Sequence, residues 1–473
     1  VQRRRRFGSV VLALLAMGFP LGCERSHGVG DPNILLVTLD TVRADHCSSY
    51  GYSRSTTPHL SALARDGVQF DSAYSPMPTS APAHASIFTG LHPRSHGLIR
   101  NGTPIPDDHV TLPQLLAANG YDTGAVVSSF VLASRFGFQR GFAFYDDAFG
   151  DRDKAAHETV WEGIEINGRF ERRASETTAR ALRWLAGHAA RALPVAGEHR
   201  AGTGGDARAP FFLWVHYFDP HSPYDPPEPY RSAFESRAPG AGTGDLLRAA
   251  YDGELAYADS ELGRLIEAVR AQEAPERTLV IVVGDHGEGL GDHGHLEHGL
   301  MLYDEALLVP FVVSWPGVVS GNRRSAEPVS LVDLTPTIID LLGMARPAVL
   351  QGRSLAPALL GSISTLAQRP VFLQRRFYGA SSVGSFPVSG DKLALRLGAW
   401  KYIEAPAEGT RELYELASDP HESRDRMASD PGRANEMQRV LHDWLAATPQ
   451  KNAELPVLSE HDEQRLHALG YLQ

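Results

Sequence analysis

The chain has 473 residues, 42% hydrophobic and 21% charged, and 45 Lys or Arg against 56 Asp or Glu leave a formal net charge of −11. That length suits one large domain with an appendage and an ample core, while the acidic balance argues against nucleic acid as a partner, since neutralising phosphates needs a basic face. Cys23 and Cys47 are the only cysteines, so core burial rather than a disulfide framework must supply stability.

Arg3 to Arg6 form a positive stretch and Val10 to Phe19 an apolar one, followed by Pro20-Leu21-Gly22-Cys23. The apolar run is too short to span a membrane and has the shape of an export signal over residues 1–23. Gly22-Cys23 resembles the end of a bacterial lipoprotein signal, which implies acylation of Cys23 and a lipid anchor; the alternative is a cleaved signal in which Cys23 is incidental. Either way the expected location is the bacterial periplasm or cell envelope. Cys47, lying among polar residues, is read as packing rather than chemistry.

Asn33 to Leu39 reads as a buried strand ending at Asp40. Thr57 to Gly67 reads as a helix, with Thr57-Pro58 to start it and Gly67 to stop it. The run from His84 to Phe88 has helical character and closes on Thr89-Gly90. Thr111 to Gly120 is a further helix, and Thr123 to Ser128 the strand after it. Ala186 to Ala209, rich in Ala, Gly and Arg, is read as a surface insertion. Phe211 to Tyr217 and Leu279 to Val283 are continuous apolar runs that lead directly into His- and Asp-rich residues. This alternation predicts an α/β fold with a mostly parallel sheet between helices. Past about residue 345 come short strands (Val371–Gln374, Leu393–Glu404, Glu412–Leu416) and a terminal amphipathic helix. The expected organisation is therefore a catalytic domain over 31–345 and a smaller α+β subdomain with an antiparallel sheet over 346–473.

Ligands of such folds bind beyond the carboxyl ends of the strands, where Asp40, His216 to His221 and Asp285-His286 all fall. In Gly284-Asp285-His286-Gly287-Glu288, an Asp beside a His at a strand end, with glycines allowing close approach, is a plausible metal pair. Asp40 offers a third ligand. His293, His295 and His298 follow, and Phe218-Asp219-Pro220-His221-Ser222-Pro223 adds proton-transfer groups. Ser80-Ala81-Pro82-Ala83-His84 places a hydroxyl where a helix begins, and free backbone N–H groups there favour an anion. Taken alone, that stretch is equally an ordinary Ser/Pro turn capping a helix.

The ordered set of motifs resembles the sulfatase family of the alkaline phosphatase superfamily over nearly all of the chain after the signal. Asn33 to Asp45, Tyr50-Gly51-Tyr52 and Thr56 to Leu60 resemble its N-terminal signature. Ser80 to Gly90 resembles the nucleophile motif, and Gly284 to Gly294 the Asp-His-Gly-Glu segment. Tyr303-Asp304-Glu305, Asp333 to Thr337, Lys401-Tyr402-Ile403 and Leu413 to Leu416 match later landmarks in order. The resemblance implies a central mixed, largely parallel sheet between helices with a small C-terminal sheet subdomain. It also implies one divalent cation, Ca²⁺ in the family, held by Asp40, Asp285, His286 and the nucleophile at Ser80. Ser80 is the residue that a formylglycine-generating maturation enzyme would oxidise. The hydrated aldehyde then attacks the sulfur of a sulfate ester, on a small molecule or a glycan. His221 or His216 is the expected acid for the leaving alcohol, and His298 stands near the anion.

Two departures bear on the chemistry. The family's Arg four residues past the nucleophile is His84 here, so the alternative is an unmodified Ser80 acting on phosphorus, as a phosphodiesterase, phosphonate monoester hydrolase or phosphatase. In that version Asp219, His221 and His298 would form a second cation clamp. The acidic residue often following Asp40 is Thr41, and with His286 in the set Mn²⁺ or Zn²⁺ become alternatives to Ca²⁺. A third reading, a non-catalytic envelope protein binding anionic glycans, has no use for a metal-held nucleophile. Selectivity is expected from the 141–210 region and the C-terminal subdomain, and Lys401 is read as a surface lysine, with reach into the pocket as the alternative.

Overall fold

The computed structural model describes residues 31–149, 159–161, 164–166, 171–191, 209–235, 242–272, 275–383 and 386–451. The export signal with Cys23, and most of the stretch expected to be an insertion, lie outside the described residues. The part of that stretch inside them, 186–191, completes a helix over Ala174–Arg191.

The central strands are β1 (Asn33–Leu39), β2 (Val68–Tyr74), β3 (Asp122–Val126) and β4 (Phe144–Asp146). A separate small pair, β5 (Thr159–Trp161) and β6 (Ile164–Ile166), precedes β7 (Phe211–Tyr217), β8 (Thr278–Gly284) and β9 (Leu308–Ser314). With β10 (Arg323–Ser325) they form a nine-stranded sheet in the order β10-β2-β9-β8-β1-β7-β3-β4, and β11 (Val329–Ser330) pairs with β2. Only β9 runs against its neighbours; the β8–β1–β7–β3–β4 run is parallel. The sheet is thus mixed and mostly parallel, as the alternation of apolar runs and helices predicts.

Every residue of β1, β7 and β8 is buried, as expected of parallel strands covered on both faces. Alternate side chains feed two cores. Ile34, Leu36, Trp214 and Ile281 belong to one, with Ala81, Ala85 and Phe88 of the helix Ser80–Thr89. Leu35, Val37, Val215 and Val282 belong to the other, with Leu255, Leu262 and Leu265 of the long helix Thr243–Gln272.

The C-terminal strands are β12 (Val371–Gln374), the hairpin β13 (Tyr378–Val383) and β14 (Phe386–Gly390), then β15 (Leu393–Leu397), β16 (Trp400–Ala405) and β17 (Thr410–Glu415). β12-β15-β16-β17 make an antiparallel sheet. The run expected as one strand over Leu393–Glu404 is two, because Gly398 at φ 59° turns the chain, in a region open to Gly without a Cβ clash. One face of this sheet packs on Tyr74, Leu302 and Leu307 beside the central sheet. The helix Pro431–Ala447 covers the other through Ala434, Met437 and Leu441.

Lys401 is not a surface lysine. It is fully buried, and its Nζ lies 2.7 Å from Asp304 Oδ1 and 2.9 Å from Glu422 Oε1. Two acids around one buried ammonium resist desolvation only together. Burial and the Asp304 charge push the Glu422 carboxyl up to about 8 against the pull of Lys401. Replacing Lys401 by Met would strand both carboxyl groups, at a cost of about 3–5 kcal/mol. Urea unfolding of Lys401→Met is expected to show that loss, and a midpoint within error of wild type would refute this account of the triad.

Candidate active site

The register of the central sheet brings the acidic groups together. Leu39 pairs with both Gly284 and Tyr217. The ladder runs one residue further, with Asp40 N–H donating to Tyr217 O at 2.9 Å and Asp285 N–H to Leu39 O at 3.1 Å. Asp40 and Asp285 therefore end adjacent strands at one level. Thr41 then takes φ 54°, a conformation costly for a β-branched residue. It is held there by its N–H on Asp285 Oδ1 at 3.2 Å and its hydroxyl on Pro220 O at 2.7 Å. Gly287 is required by close approach: a Cβ there would lie 2.0 Å from Glu305 O. Its absence lets Gly287 and Glu288 donate N–H groups to Ala306 O and Glu305 O.

Ser80 is the first residue of its helix, not a residue ahead of it. The helix starts four residues before the run at His84 suggests, because Pro82 falls in the first turn, where no N–H is needed. Ser80 Oγ is buried, 3.5 Å from Asp40 Oδ1 and 3.1 Å from His286 Nε2. His286 Nδ1 lies 2.9 Å from Gly287 O. A carbonyl only accepts, so Nδ1 carries the proton and the lone pair of neutral His286 is on Nε2, facing Ser80.

Asp40, Asp285 and His286 are fully buried, with ligand atoms all within 4.8 Å of one another. Asp40 Oδ2 and Asp285 Oδ2 have no hydrogen-bond partner. Burial raises both carboxyl groups, and Asp40 raises Asp285 further. His286 is raised instead, because these two acids outweigh its burial. Unsatisfied buried carboxylate oxygens beside an imidazole lone pair make a donor set that fits a divalent cation.

His84, His216 and Asp285 also lie within ligand distance of each other, but their hydrogen bonds give these histidines another role. His84 Nδ1 donates to Ser80 O at 2.8 Å. Its Nε2 receives the Thr38 hydroxyl at 2.9 Å, and Thr38 Oγ1 in turn accepts from Trp214 Nε1 at 3.0 Å. Both nitrogens are used, and the one nearest Asp285 carries a proton. His216 Nδ1 accepts from Ser128 N–H at 3.4 Å, which leaves the proton on Nε2, 3.2 Å from Asp40 Oδ2. Burial holds both rings neutral, His84 down to about 3 and His216 to about 4.

His221 stacks on Phe218 with ring centres 4.3 Å apart, and its Nδ1 donates to Ser222 O at 2.6 Å. Its ring centre is 5.1 Å from that of His298, which is 4.5 Å from that of His286. His298 Nδ1 pairs with Glu288 Oε1 at 3.1 Å. Burial pushes His221 down to about 3, His298 well below its usual range and Glu288 up to about 8.

Ser80, Asp40, Asp285, His286, His84, His216, His221 and His298 thus gather at one sheet end. Among the described residues Asp219, His221 and His298 do not come within ligand distance of one another as a second clamp; Asp219 Oδ1 accepts from Ala174 N–H at 3.1 Å and lies 3.6 Å from Arg173 Nη1. His293 pairs with Glu305 and stacks on Tyr303, and His295 packs against Phe386. Sequence reasoning overlooked Thr38, Trp214 and Asn101, and quoted Glu288 without giving it a part. Thr38 left a signal, a hydroxyl inside an otherwise apolar buried strand.

The family model described as "Sulfatase" matches residues 32–344, and "N-sulphoglucosamine sulphohydrolase, C-terminal" matches 291–451. N-acetylgalactosamine-6-sulfatase of Canis lupus familiaris is 27% identical over 377 residues, covering 73% of this chain and 68% of that protein. A structure solved with its substrate D-glucosamine-2-N,6-O-disulfate superposes with a TM-score of 0.68 at 18% identity, covering 88% of this chain and 98% of that one. The phosphonate monoester hydrolase of Agrobacterium radiobacter shares the fold equally, with a TM-score of 0.68 at 22% identity, 91% of this chain and 98% of that one. With well over half of its length inside the first of these matches, from the strand that ends at Asp40 to the segment beyond His286, the chain belongs to the sulfatase family.

Proposed function

We propose that the chain is a metal-dependent hydrolase of sulfate esters in which residue 80 is the nucleophile. The observation that carries this reading is Ser80 Oγ at a helix N-terminus, 3.5 Å from Asp40 and 3.1 Å from His286, beside two buried carboxylate oxygens that lack partners. Asp40, Asp285, His286 and Ser80 would hold the cation; the mixed oxygen and nitrogen set suits Mn²⁺ or Zn²⁺ as well as Ca²⁺. Such an ion supplies Lewis acidity and neutralises the charge of the transferred group.

The dipole of the helix that Ser80 opens favours negative charge on the residue-80 oxygen, although Ala81 N–H is taken by Asn101 Oδ1 and Pro82 has no N–H. Matured to formylglycine, residue 80 would supply an aldehyde hydrate, one hydroxyl of which serves as nucleophile to sulfur while the other provides the route by which sulfate is expelled and the aldehyde restored. In the resting site His221 is neutral with its lone pair on Nε2. A bound anionic ester adds negative charge beside it, which favours protonation, and His221 then hands that proton to the leaving alcohol. The charged and apolar N-terminal stretch supports export to the bacterial periplasm or envelope, with Cys23 as a lipid attachment point.

A second reading is favoured by His84. The imidazole is committed to Ser80 O and Thr38, so it does not reproduce the family's arginine at this place, and maturation of Ser80 loses a recognised residue. An unmodified Ser80 suits phosphorus, because a sulfated serine lacks the hydrate's route for expelling sulfate. Phosphodiesters and phosphonate monoesters are its substrates.

Mass spectrometry of the Ser80 peptide from the native host, with parallel assays on aryl sulfate, phosphate diester and phosphonate monoester, separates the readings. Loss of two hydrogens with sulfate turnover is expected for the first; intact serine in active protein rejects it. Asp285→Asn and His286→Ala are each expected to weaken metal binding and lower kcat at least about a hundredfold, and unchanged metal titration would remove these ligands from the assignment. Thr38→Val frees His84 Nε2, so kcat should fall about tenfold with KM little changed; an equal rise in KM would mean that the network shapes substrate binding instead.

A further inference from the structure

We propose that Arg100 and Arg376 form an anion subsite near the segment of Ser80 that takes a second sulfate or carboxylate of the substrate, so that the natural ester carries at least two negative charges. The inference rests on the proposed function, to whose nucleophile segment both stretches of chain are fastened.

Placement is the first ground. Arg100 immediately precedes Asn101, whose Oδ1 accepts the N–H of Ala81, next to the nucleophile, at 2.9 Å. Arg376 lies two residues past Gln374, whose N–H donates to Pro76 O at 3.0 Å on the segment leading into Ser80. The two arginines therefore stand on two separate stretches of chain, each fastened to residues 76–81.

Their lack of partners is the second. Both are half-buried, yet neither makes an ion pair or a side-chain hydrogen bond among the described residues. The neighbouring Arg375 instead bonds Gly390 O and Glu408, and Arg43 bonds Asp45 and Asp292. Arg100 also senses Arg376: burial first, and then the Arg376 charge, lower the Arg100 guanidinium. Two like charges near each other, partly desolvated and without a counter-charge, are costly unless an anion bridges them.

The third ground is orientation. The Arg376 guanidinium lies over the Tyr378 ring, 4.2 Å from its centre, a contact that holds a planar fork in place without using its donors. A fork of this kind matches the paired oxygens of sulfate or carboxylate. One ester group at Ser80 and one further anionic group at the arginines define a substrate with at least two negative charges.

Calorimetric titration with D-glucosamine-2-N,6-O-disulfate, glucosamine 6-sulfate, and a monosulfated disaccharide bearing a uronate tests this. Wild type should bind the disulfate or the uronate probe about tenfold to a hundredfold tighter than the monosulfate. Arg100→Ala/Arg376→Ala should erase that preference, and Arg100→Lys/Arg376→Lys should restore part of it. Wild type without a preference, including failure to bind any probe, overturns the subsite, as does a preference that survives the double Ala variant. Turnover of singly charged aryl esters is followed in the same proteins. Retained turnover with no preference rejects the subsite alone, whereas a wild type inactive on aryl sulfate, phosphate diester and phosphonate monoester alike rejects the proposed function.

Discussion

Two carboxylates, Asp40 and Asp285, are held side by side in a fully buried place by the parallel register of β8, β1 and β7, and the rest of the site is arranged around that repulsion. Like charges so placed raise each other's affinity for protons and cations. Each has one oxygen tied by a neighbouring group, Asp285 Oδ1 by two backbone N–H groups and Asp40 Oδ1 by Ser80. Each leaves its other oxygen without a hydrogen bond, with His216 Nε2 standing 3.2 Å from Asp40 Oδ2. A protein that spends backbone strain at Thr41 to keep this arrangement has built an electrostatic demand that only positive charge answers.

The histidines divide by what their lone pairs meet, not by distance. His286 turns its protonated nitrogen to a carbonyl and its lone pair inward, as a ligand must. His84 likewise turns its protonated nitrogen to a carbonyl, that of the nucleophile residue, but its lone pair is occupied by the Thr38 hydroxyl. Proximity alone would class both as ligands; the donors and acceptors around them assign one to the ion and the other to bracing Ser80. His216 is a third kind, with a protonated Nε2 facing Asp40. This division explains how four imidazoles crowd one cavity: burial keeps His84, His216, His221 and His298 neutral, so they add no mutual charge repulsion.

Much of this was legible before any coordinates. Continuous apolar runs ending in Asp40, His216 and Asp285 disclose a parallel sheet and its carboxyl edge, because burial on both faces leaves a strand no polar positions until it ends. Motif order then discloses Ser80. The helix start at Ser80 was obscured by Pro82, which reads as a breaker but is neutral in a first turn. The bracing of His84 was illegible, since Trp214 and Thr38 meet it only through strand pairing across long sequence separations. Lys401 misled for a related reason: a lone lysine in an amphipathic strand looks solvated, and its partners Asp304 and Glu422 lie far from it along the chain.

That buried lysine also explains why the C-terminal sheet accompanies this site. Asp304 opens the short helix Asp304–Leu307, and the carbonyls of Glu305 and Ala306 in it receive the N–H groups of Glu288 and Gly287. Lys401 holds Asp304 and Glu422 together, Glu422 accepts the Asp304 N–H, and His293 spans Glu305 and Glu422 O. The loop carrying Asp285, His286 and Glu288 is therefore fastened at its far side by a charge cluster to which the second sheet contributes Lys401. A parallel sheet can place the first atoms beyond its strand ends accurately, but the loop that follows needs an outside support. The antiparallel sheet provides it through Lys401, which ties changes in that sheet to the geometry of the loop carrying Asp285 and His286.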